Sequence, residues 1–308
     1  MTETLVETQM YAKLKTEVDA SIKDLGKKRG LYQIIRTVSF ELKRNLKKLL
    51  IMGIIDTALI ILFYFINQLQ DNNPEESRDY FTSYLGMISF LMMIIGILFA
   101  SSIIVEDFEK QTGNLLFPKI ERGRLLIGRY VARYIYAAIS VLIYYGEIMI
   151  LTYNEYNELP EMMWNSFFWA LMYLHLVMAF VTLMSALLNR IGTAIIMSIT
   201  FLLMVFVSIT TLLMYSESTV EPLFDITYYA DIITNIFDMP DPNYIDFSPQ
   251  IGTRQGPAGQ QIPEFSDRVF RRWLTPTEDS ALMGISIYST VFLIGAYLIY
   301  RVKQAKSN

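Results

Sequence analysis

Three ionisable side chains stand inside long apolar stretches of the sequence: Asp56 in GIIDTALI, Glu147 in YYGEIMI and His175 in YLHLVMA. Charged groups are costly in hydrocarbon, so residues of this kind usually face the interior of a helix bundle or a water-filled path. They could contact a transported molecule or a coupled ion, or they could only form hydrogen bonds between helices. We keep all three as candidates for a substrate path.

Other chemistry has little support in this chain. It contains no cysteine and one histidine, which excludes a disulfide framework, a thiol nucleophile, a Cys-based metal site and a His cluster. No Gly-x-x-x-x-Gly-Lys-Ser/Thr loop is present to hold nucleotide phosphates, and no His-Glu-x-x-His or Gly-x-Ser-x-Gly motif occurs. We therefore predict no catalytic residue, no metal site and no cofactor bound by this chain, which is not an enzyme by itself.

The elements that position the three ionisable residues are membrane helices. The chain has 308 residues, of which 53% are hydrophobic, and a positive mean hydropathy. Apolar stretches long enough to cross a bilayer occur six times. They are Leu49 to Ile66, Tyr84 to Val105, Tyr134 to Thr152, Met162 to Leu188, Ile191 to Tyr215 and Ala281 to Tyr300. We predict an all-α polytopic protein with six transmembrane helices and both termini on one side.

The distribution of basic residues predicts the orientation. If the N-terminus is inside, that side holds 21 of the 26 Lys and Arg residues, and acidic residues are more numerous outside. Basic residues in short loops stay on the cytoplasmic side. We expect a multi-pass protein of the plasma or inner membrane with both termini in the cytoplasm.

Two further segments flank these helices. Residues 1–48 have helical periodicity and basic polar faces, which predicts cytoplasmic and interfacial amphipathic helices broken at GKKRG, 26–30, ahead of a transmembrane domain over 49–308. Residues 216–280 form a long outer segment between the fifth and sixth spans. Within it we predict one helical face through Tyr229, Ile232, Ile233, Ile236 and Phe237, and another through Phe265, Val269, Phe270 and Trp273.

Residues 106–129, EDFEKQTGNLLFPKIERGRLLIGR, join the second and third spans on the predicted cytoplasmic side. Gly113 tolerates the conformation that ends a helix, and Pro118 suits the first turn of another. Leu115, Leu116 and Phe117 form an apolar tip between these breaks, surrounded by charges of both signs. This composition favours contact with another protein.

This segment resembles the coupling helix of the membrane subunits of type-2 ATP-binding-cassette (ABC) transporters, in which it docks into an ATPase subunit. The matching positions are Glu106, Asp107, Glu109, Thr112, Gly113, Leu115, Leu116, Pro118, Arg122, Gly128 and Arg129, and Phe117 belongs to the same docking surface. Three features depart from the family pattern: Lys119 precedes the apolar Ile120, Arg129 replaces the usual Lys after the glycine, and the outer segment is longer than usual.

The resemblance implies a permease subunit of an ATP-driven exporter. Its implied partners are two ABC ATPase subunits, which bind ATP and Mg, and a second copy of this permease or a related one. Membrane lipids and an unknown amphipathic substrate complete the set, and we expect no nucleic-acid partner. The alternative is an ion-coupled transporter or channel that uses the intramembrane carboxylates.

Overall fold

The structure is a computed structural model that describes residues 2–69, 74–109, 121–215, 220–248, 250–255, 261–265 and 270–305. Helices make up most of this part of the chain, and the four short strands found in it lie between the fifth and sixth spans. The predicted all-α class is therefore confirmed.

Six helices in the described part are long and apolar enough to cross a membrane, as predicted. Spans one to six are Gly30–Asn67, Ile88–Glu109, Arg122–Tyr156, Met163–Leu187, Ile191–Met214 and Glu278–Lys303. Spans two and four are the most buried, whereas spans one, five and six expose most of their side chains. Span four packs against spans two and six, and span one packs along span three.

Span one starts, and span six finishes, on the same side of this bundle. A side chain at Gly30 would meet the guanidinium of Arg124, and Arg122 Nη1 donates a 3.5 Å hydrogen bond to the carbonyl of Arg301. We call this the terminal end. The opposite end includes Asn67, whose amide donates to the hydroxyl of Ser83.

The predicted helix break at GKKRG is wrong, because one helix, α1, runs from Thr2 to Leu69. A glycine in a helix costs only about 1 kcal/mol relative to alanine, which is too little to end a helix that packs along its neighbour. Gly30 also suits this helix because the Cβ of any other residue would lie 2.9 Å from Arg124 Cζ. Span one is consequently an extension of the N-terminal helix.

Span two is interrupted near the terminal end. After the short helix α2, Ser77–Leu85, the span continues as α3, Ile88–Ala100, and α4, Val105–Glu109, with an irregular turn between them over 101–104. Irregular backbone at membrane depth needs hydrogen-bond partners from elsewhere in the protein. The sequence predicted one uninterrupted helix here, because all residues of the turn are apolar or small.

Span three, α5, begins at Arg122 and ends at Tyr156, where Asn157 adopts a left-handed conformation with φ 55°. Span four is α6, Met163–Leu187. Span five consists of α7, Ile191–Thr200, a π-helical turn, Phe201–Val205, and α8, Phe206–Tyr215. Span six lies within α10, Glu278–Ala305. Span three therefore begins well before the apolar stretch predicted at Tyr134.

The connecting segment between spans five and six is partly helical and partly extended. A 3-10 turn, Thr227–Ala230, and a short helix, α9, Ile232–Asn235, bury the predicted face at the opposite end. Strand β1, Tyr244–Phe247, pairs antiparallel with β4, Phe270–Trp273, and β2, Gln250–Gln255, pairs with β3, Gln261–Phe265.

The predicted helical face through Phe265, Val269, Phe270 and Trp273 is wrong, since Phe265, Phe270 and Trp273 belong to strands, and Val269 lies outside the described residues. Cross-strand pairs explain the extended conformation at Trp273: it lies opposite Tyr244, and Phe270 lies opposite Phe247. Such aromatic pairs stabilise antiparallel strands.

Candidate functional site: an ionic junction of the six spans

Six charged side chains meet at the terminal end of the bundle. We call this cluster the ionic junction, and its members are Glu41, Arg44, Glu106, Asp107, Arg129 and Arg133. Span one supplies the first two, span two the next two and span three the last two. Three carboxylates and three guanidinium groups therefore lie together, and Lys48 of span one is close enough to interact with them. Glu41 and Arg133 are each only 1% exposed, so the pairing occurs away from bulk water.

Arg129 pairs with the end of span two. Its Nη1 and Nη2 donate to the two carboxylate oxygens of Asp107 at 2.7 and 2.8 Å, which is the bidentate geometry that favours arginine over lysine. Arg129 Nε also lies 3.4 Å from Glu41 Oε1 of span one. This one side chain therefore connects spans one, two and three.

Arg133 lies one helical turn after Arg129, so both point to the same side of span three. Its Nη2 lies 3.3 Å from Glu106 Oε2, and its Nε lies 3.5 Å from Glu41 Oε2. Its Nη1 also donates to the hydroxyl of Ser102 at 2.7 Å. The Arg133 guanidinium, like that of Arg129, thus contacts both span one and span two.

Glu41 is the acceptor at the centre of the junction. Its carboxylate lies at ion-pair distance from both arginines of span three, and its Oε2 accepts hydrogen bonds from Arg44 at 2.8 Å and from Asn45 at 3.0 Å. Arg44 also donates to Glu106 Oε2 at 3.0 Å. Removing one partner of a buried ion pair leaves an uncompensated charge, so these side chains depend strongly on one another.

The interrupted backbone of span two is held by the same side chains. Arg129 Nη1 donates to the carbonyl of Ile103 at 3.0 Å, and Arg133 Nη1 donates to that of Phe99 at 3.1 Å. The hydroxyl of Ser185, in span four, accepts the N–H groups of both Ile104 and Val105 at 3.0 Å. The turn is therefore a fixed feature with specific partners.

The remaining spans join the junction at its edge. The hydroxyl of Tyr300, in span six, donates to Asp107 Oδ2 at 2.7 Å. The N–H of Ile191, at the start of span five, donates to Glu109 Oε2 at 2.9 Å. Lys303 Nζ donates to the carbonyl of Leu188 at 2.7 Å. Polar contacts thus connect the ends of all six spans around residues 106–109.

The residues predicted to dock an ATPase differ in position. Glu106 and Asp107 are 9% and 2% exposed, so they bind neighbouring spans and present little surface to a partner. Glu109 is exposed and Arg122 is half-buried, both at the terminal end. The other predicted docking residues lie outside the described residues. They are Thr112, Gly113, Leu115, Leu116, Phe117 and Pro118.

The intramembrane candidates Asp56, Glu147 and His175 lie in interhelical contacts. Asp56 Oδ2 accepts a 2.6 Å hydrogen bond from Ser140, and Glu147 accepts one from Thr57, so both carboxylates bridge spans one and three. Their other oxygens, Asp56 Oδ1 and Glu147 Oε2, are shielded and have no hydrogen-bond partner among the described residues.

His175 is separate from these carboxylates. Its Nδ1 lies 2.9 Å from the hydroxyl of Tyr130, which connects spans three and four. Contact of Asp56, Glu147 or His175 with substrate stays a prediction.

Sequence reasoning missed five residues of this site: Glu41, Arg44, Arg133, Ser185 and Tyr300. Arg133 and Arg129 carried a usable signal, because two arginines four residues apart share a helix face and require acidic partners when that face is buried. Ser185 and Tyr300 carried none, since a single hydroxyl in an apolar helix does not reveal its partner.

We expect Ser185→Ala to destabilise the chain markedly. Two buried N–H groups would lose their only acceptor in the described structure, and each unsatisfied group costs about 1–3 kcal/mol. Thermal unfolding of the purified protein in detergent would measure the loss. Thr182→Ala is the matched control, because the Thr182 hydroxyl donates only to the carbonyl of Met178 in its own helix. Equal melting temperatures for both variants would contradict this role of Ser185.

Comparison with known proteins assigns this arrangement to a family. No curated protein matches the sequence. Residues 4–302, which include the ionic junction, the first five spans and all but the last residue of the sixth, match the family model described as ABC-2 family transporter protein. Members of this family are membrane permeases of ABC transporters. The chain therefore belongs to the ABC-2 transporter family, as an integral membrane permease.

Proposed function

We propose that this chain is the permease subunit of an ATP-driven exporter and that the ionic junction transmits the movement of separate ATPase subunits to the six spans. Two ATPases would bind ATP and Mg²⁺, and this chain would form the translocation path with a second copy or a related permease. The charge distribution of the sequence supports a cytoplasmic terminal end in the plasma or inner membrane.

The position of the junction is the observation that carries the proposal. Residues 110–120, where the resemblance places the docking surface, are bounded by Glu109 and Glu121. A force on this segment would act first on the end of span two and the start of span three. Asp107 lies before this segment in the sequence, and Arg129 lies after it. Together they form the shortest charged pair of the junction.

A stiff network is suited to such transmission. The junction combines one bidentate ion pair, burial of most of its members and bonds to backbone carbonyls, so its buried members move together or separate at considerable cost. The turn in span two is bonded to Arg129, Arg133 and Ser185, so movement of these side chains would act on span two directly. Small displacements at one site become larger rearrangements through packed helices of this kind.

Docking can be tested without knowledge of the substrate. Leu116→Ala with Phe117→Ala should weaken ATPase binding more than tenfold, because apolar anchors at the centre of an interface commonly cost about 2 kcal/mol or more when truncated. The measurement is the Kd of the purified permease for the ABC ATPase that co-purifies with it.

Glu121→Ala is the control for this experiment. The Glu121 side chain is 62% exposed and pairs with Arg124 at 2.9 Å, so its loss should have a smaller effect that salt reduces. Normal binding and transport by the double variant would reject the coupling assignment. Ion flux through the purified chain without any ATPase would favour the channel alternative.

A further inference from the structure

A cavity of about 720 Å³ lies at the end of the bundle opposite the ionic junction. Its walls come from spans two and five and from the connecting segment. Cavities of roughly 300–1,000 Å³ are typical of small-molecule sites. Asp56, Glu147 and His175 are not among its lining residues, so the cavity is separate from the candidates drawn from the sequence.

The cavity has an apolar side and a polar side. Met93 of span two and Leu202 and Val207 of span five line it at membrane depth. Asp231, Arg272 and Trp273 line it from the connecting segment, outside the spans. This arrangement matches a molecule whose apolar part lies in the bilayer and whose head group lies beyond it.

Several polar groups around the cavity already have partners. The carboxylate of Asp225 accepts from the hydroxyl of Thr210 and, at 2.7 Å, from both the N–H and the hydroxyl of Thr227. Arg271 donates to Asp246 at 2.8 and 3.0 Å and stacks over Tyr244. These groups build the walls and have little capacity left for a ligand.

Asp231, Arg272 and Trp273 differ in this respect. Among the described residues, neither the carboxylate of Asp231 nor the guanidinium of Arg272 forms a hydrogen bond or an ion pair. The indole N–H of Trp273 is shielded from solvent and has no acceptor in the same part of the chain. Asp231 and Arg272 are exposed and line the cavity, so these two charged groups keep hydrogen-bonding capacity for a ligand.

The surroundings also act on Asp231. Desolvation by the surrounding protein raises the pKa of Asp231 to about 7, although the residue keeps an exposed surface. The negative charge of Asp225 acts in the same direction, and the positive charge of Arg272 opposes it. An ammonium group beside Asp231 would favour its ionised form.

We propose that this cavity binds the ammonium–phosphate head group of a zwitterionic phospholipid, with its acyl chains against spans two and five. Asp231 would accept from the ammonium group, and Arg272 would bind the phosphate. The side chain of Trp273 would line the cavity beside the head group. The inference rests on the proposed function and deepens it, because it names the class of molecule that the exporter would handle at this end.

The test uses the full chain in nanodiscs without ATP or ATPase, so it is independent of coupling. The sequence has three tryptophans, and replacing Trp164 and Trp169 with Phe leaves Trp273 as the only reporter. Brominated phosphatidylethanolamine should quench Trp273 at lower mole fraction than brominated phosphatidylglycerol. Asp231→Asn and Arg272→Gln should each raise the half-quenching mole fraction about tenfold, as expected for a lost charge-assisted hydrogen bond.

Matched controls come from the same end of the chain. Asp238→Asn and Arg78→Gln change charged residues that do not line the cavity, and they should leave quenching unchanged.

Soluble phosphoethanolamine is then added as a competitor. If it relieves quenching, the head group alone is recognised. If quenching persists, the membrane lipid is recognised. Equal quenching by both lipids, or quenching that neither cavity variant alters, would overturn the proposal. Loss of ATPase docking with intact lipid selectivity would reject only the exporter assignment.

Discussion

Arg133→Met should destabilise the chain by about 3–5 kcal/mol and abolish ATP-driven transport, because it leaves Glu41 and Glu106 short of a buried counter-charge. The same change removes the donors to the carbonyl of Phe99 and the hydroxyl of Ser102 at the turn in span two. Chemical unfolding in detergent measures the first effect, and transport by the reconstituted complex measures the second.

The control for this experiment is Arg36→Met. Arg36 is exposed on span one and lies 4.9 Å from the ring of Tyr32, so its loss should change stability by less than about 1 kcal/mol. Adding Glu41→Gln to Arg133→Met should cost less than the sum of the single changes, because the second substitution removes a carboxylate that the first left unpaired. Additive losses would show that the two residues act independently.

The second large effect concerns the contact between spans one and three. A Cβ at Gly128 would lie 2.8 Å from Thr37 Cβ and 3.2 Å from the backbone oxygen of Ile34, so no larger residue fits without displacing span one. Gly128→Leu should therefore separate the two helices and move Arg129, its neighbour, away from Glu41. Overpacking of this kind costs about 1–3 kcal/mol, and the disturbed ion pair adds to it.

Gly146→Leu is the matched control because Gly146 is on the same helix and a Cβ added there would meet no described atom within 4 Å. Thermal unfolding and transport should both be near normal in this variant, since leucine favours a helix over glycine. If Gly128→Leu were as stable and active as Gly146→Leu, close packing at Gly128 would not matter for the junction.

The six spans could be predicted from the sequence because a helix that crosses a bilayer needs a certain length and hydropathy. Both are visible directly in the apolar stretches of the sequence. It was insufficient for the long first helix and for the interruption in span two. Gly30 weakens a helix locally, but packing of this helix along span three outweighs that preference. The turn at 101–104 depends on Ser185 and two arginines from other helices, which no local pattern records.

The candidate site was predictable only in part. The acidic residues Glu106 and Asp107 were identified, yet their partners were not, because ion pairs between distant segments depend on helix rotation as well as on composition. Asp56 and Glu147 attracted attention as isolated charges in hydrocarbon. The charged cluster near the terminal end was less conspicuous because each member lies close to the predicted end of a span, where charges are common.

We claim that the ionic junction carries ATP-driven movement to the far end of span two. A fluorescence measurement at that end checks this directly. Met87 lies at that far end and is 50% exposed, and the chain has no native cysteine, so Met87→Cys accepts a single environment-sensitive fluorophore. ATP added to the labelled complex should change the emission. Glu41→Gln disconnects span one from both arginines of span three. In this variant ATPase binding should persist, but the ATP-dependent change of emission should be lost. Glu161→Gln is the control and should preserve the change of emission. An undiminished response in the Glu41→Gln complex would contradict the claim.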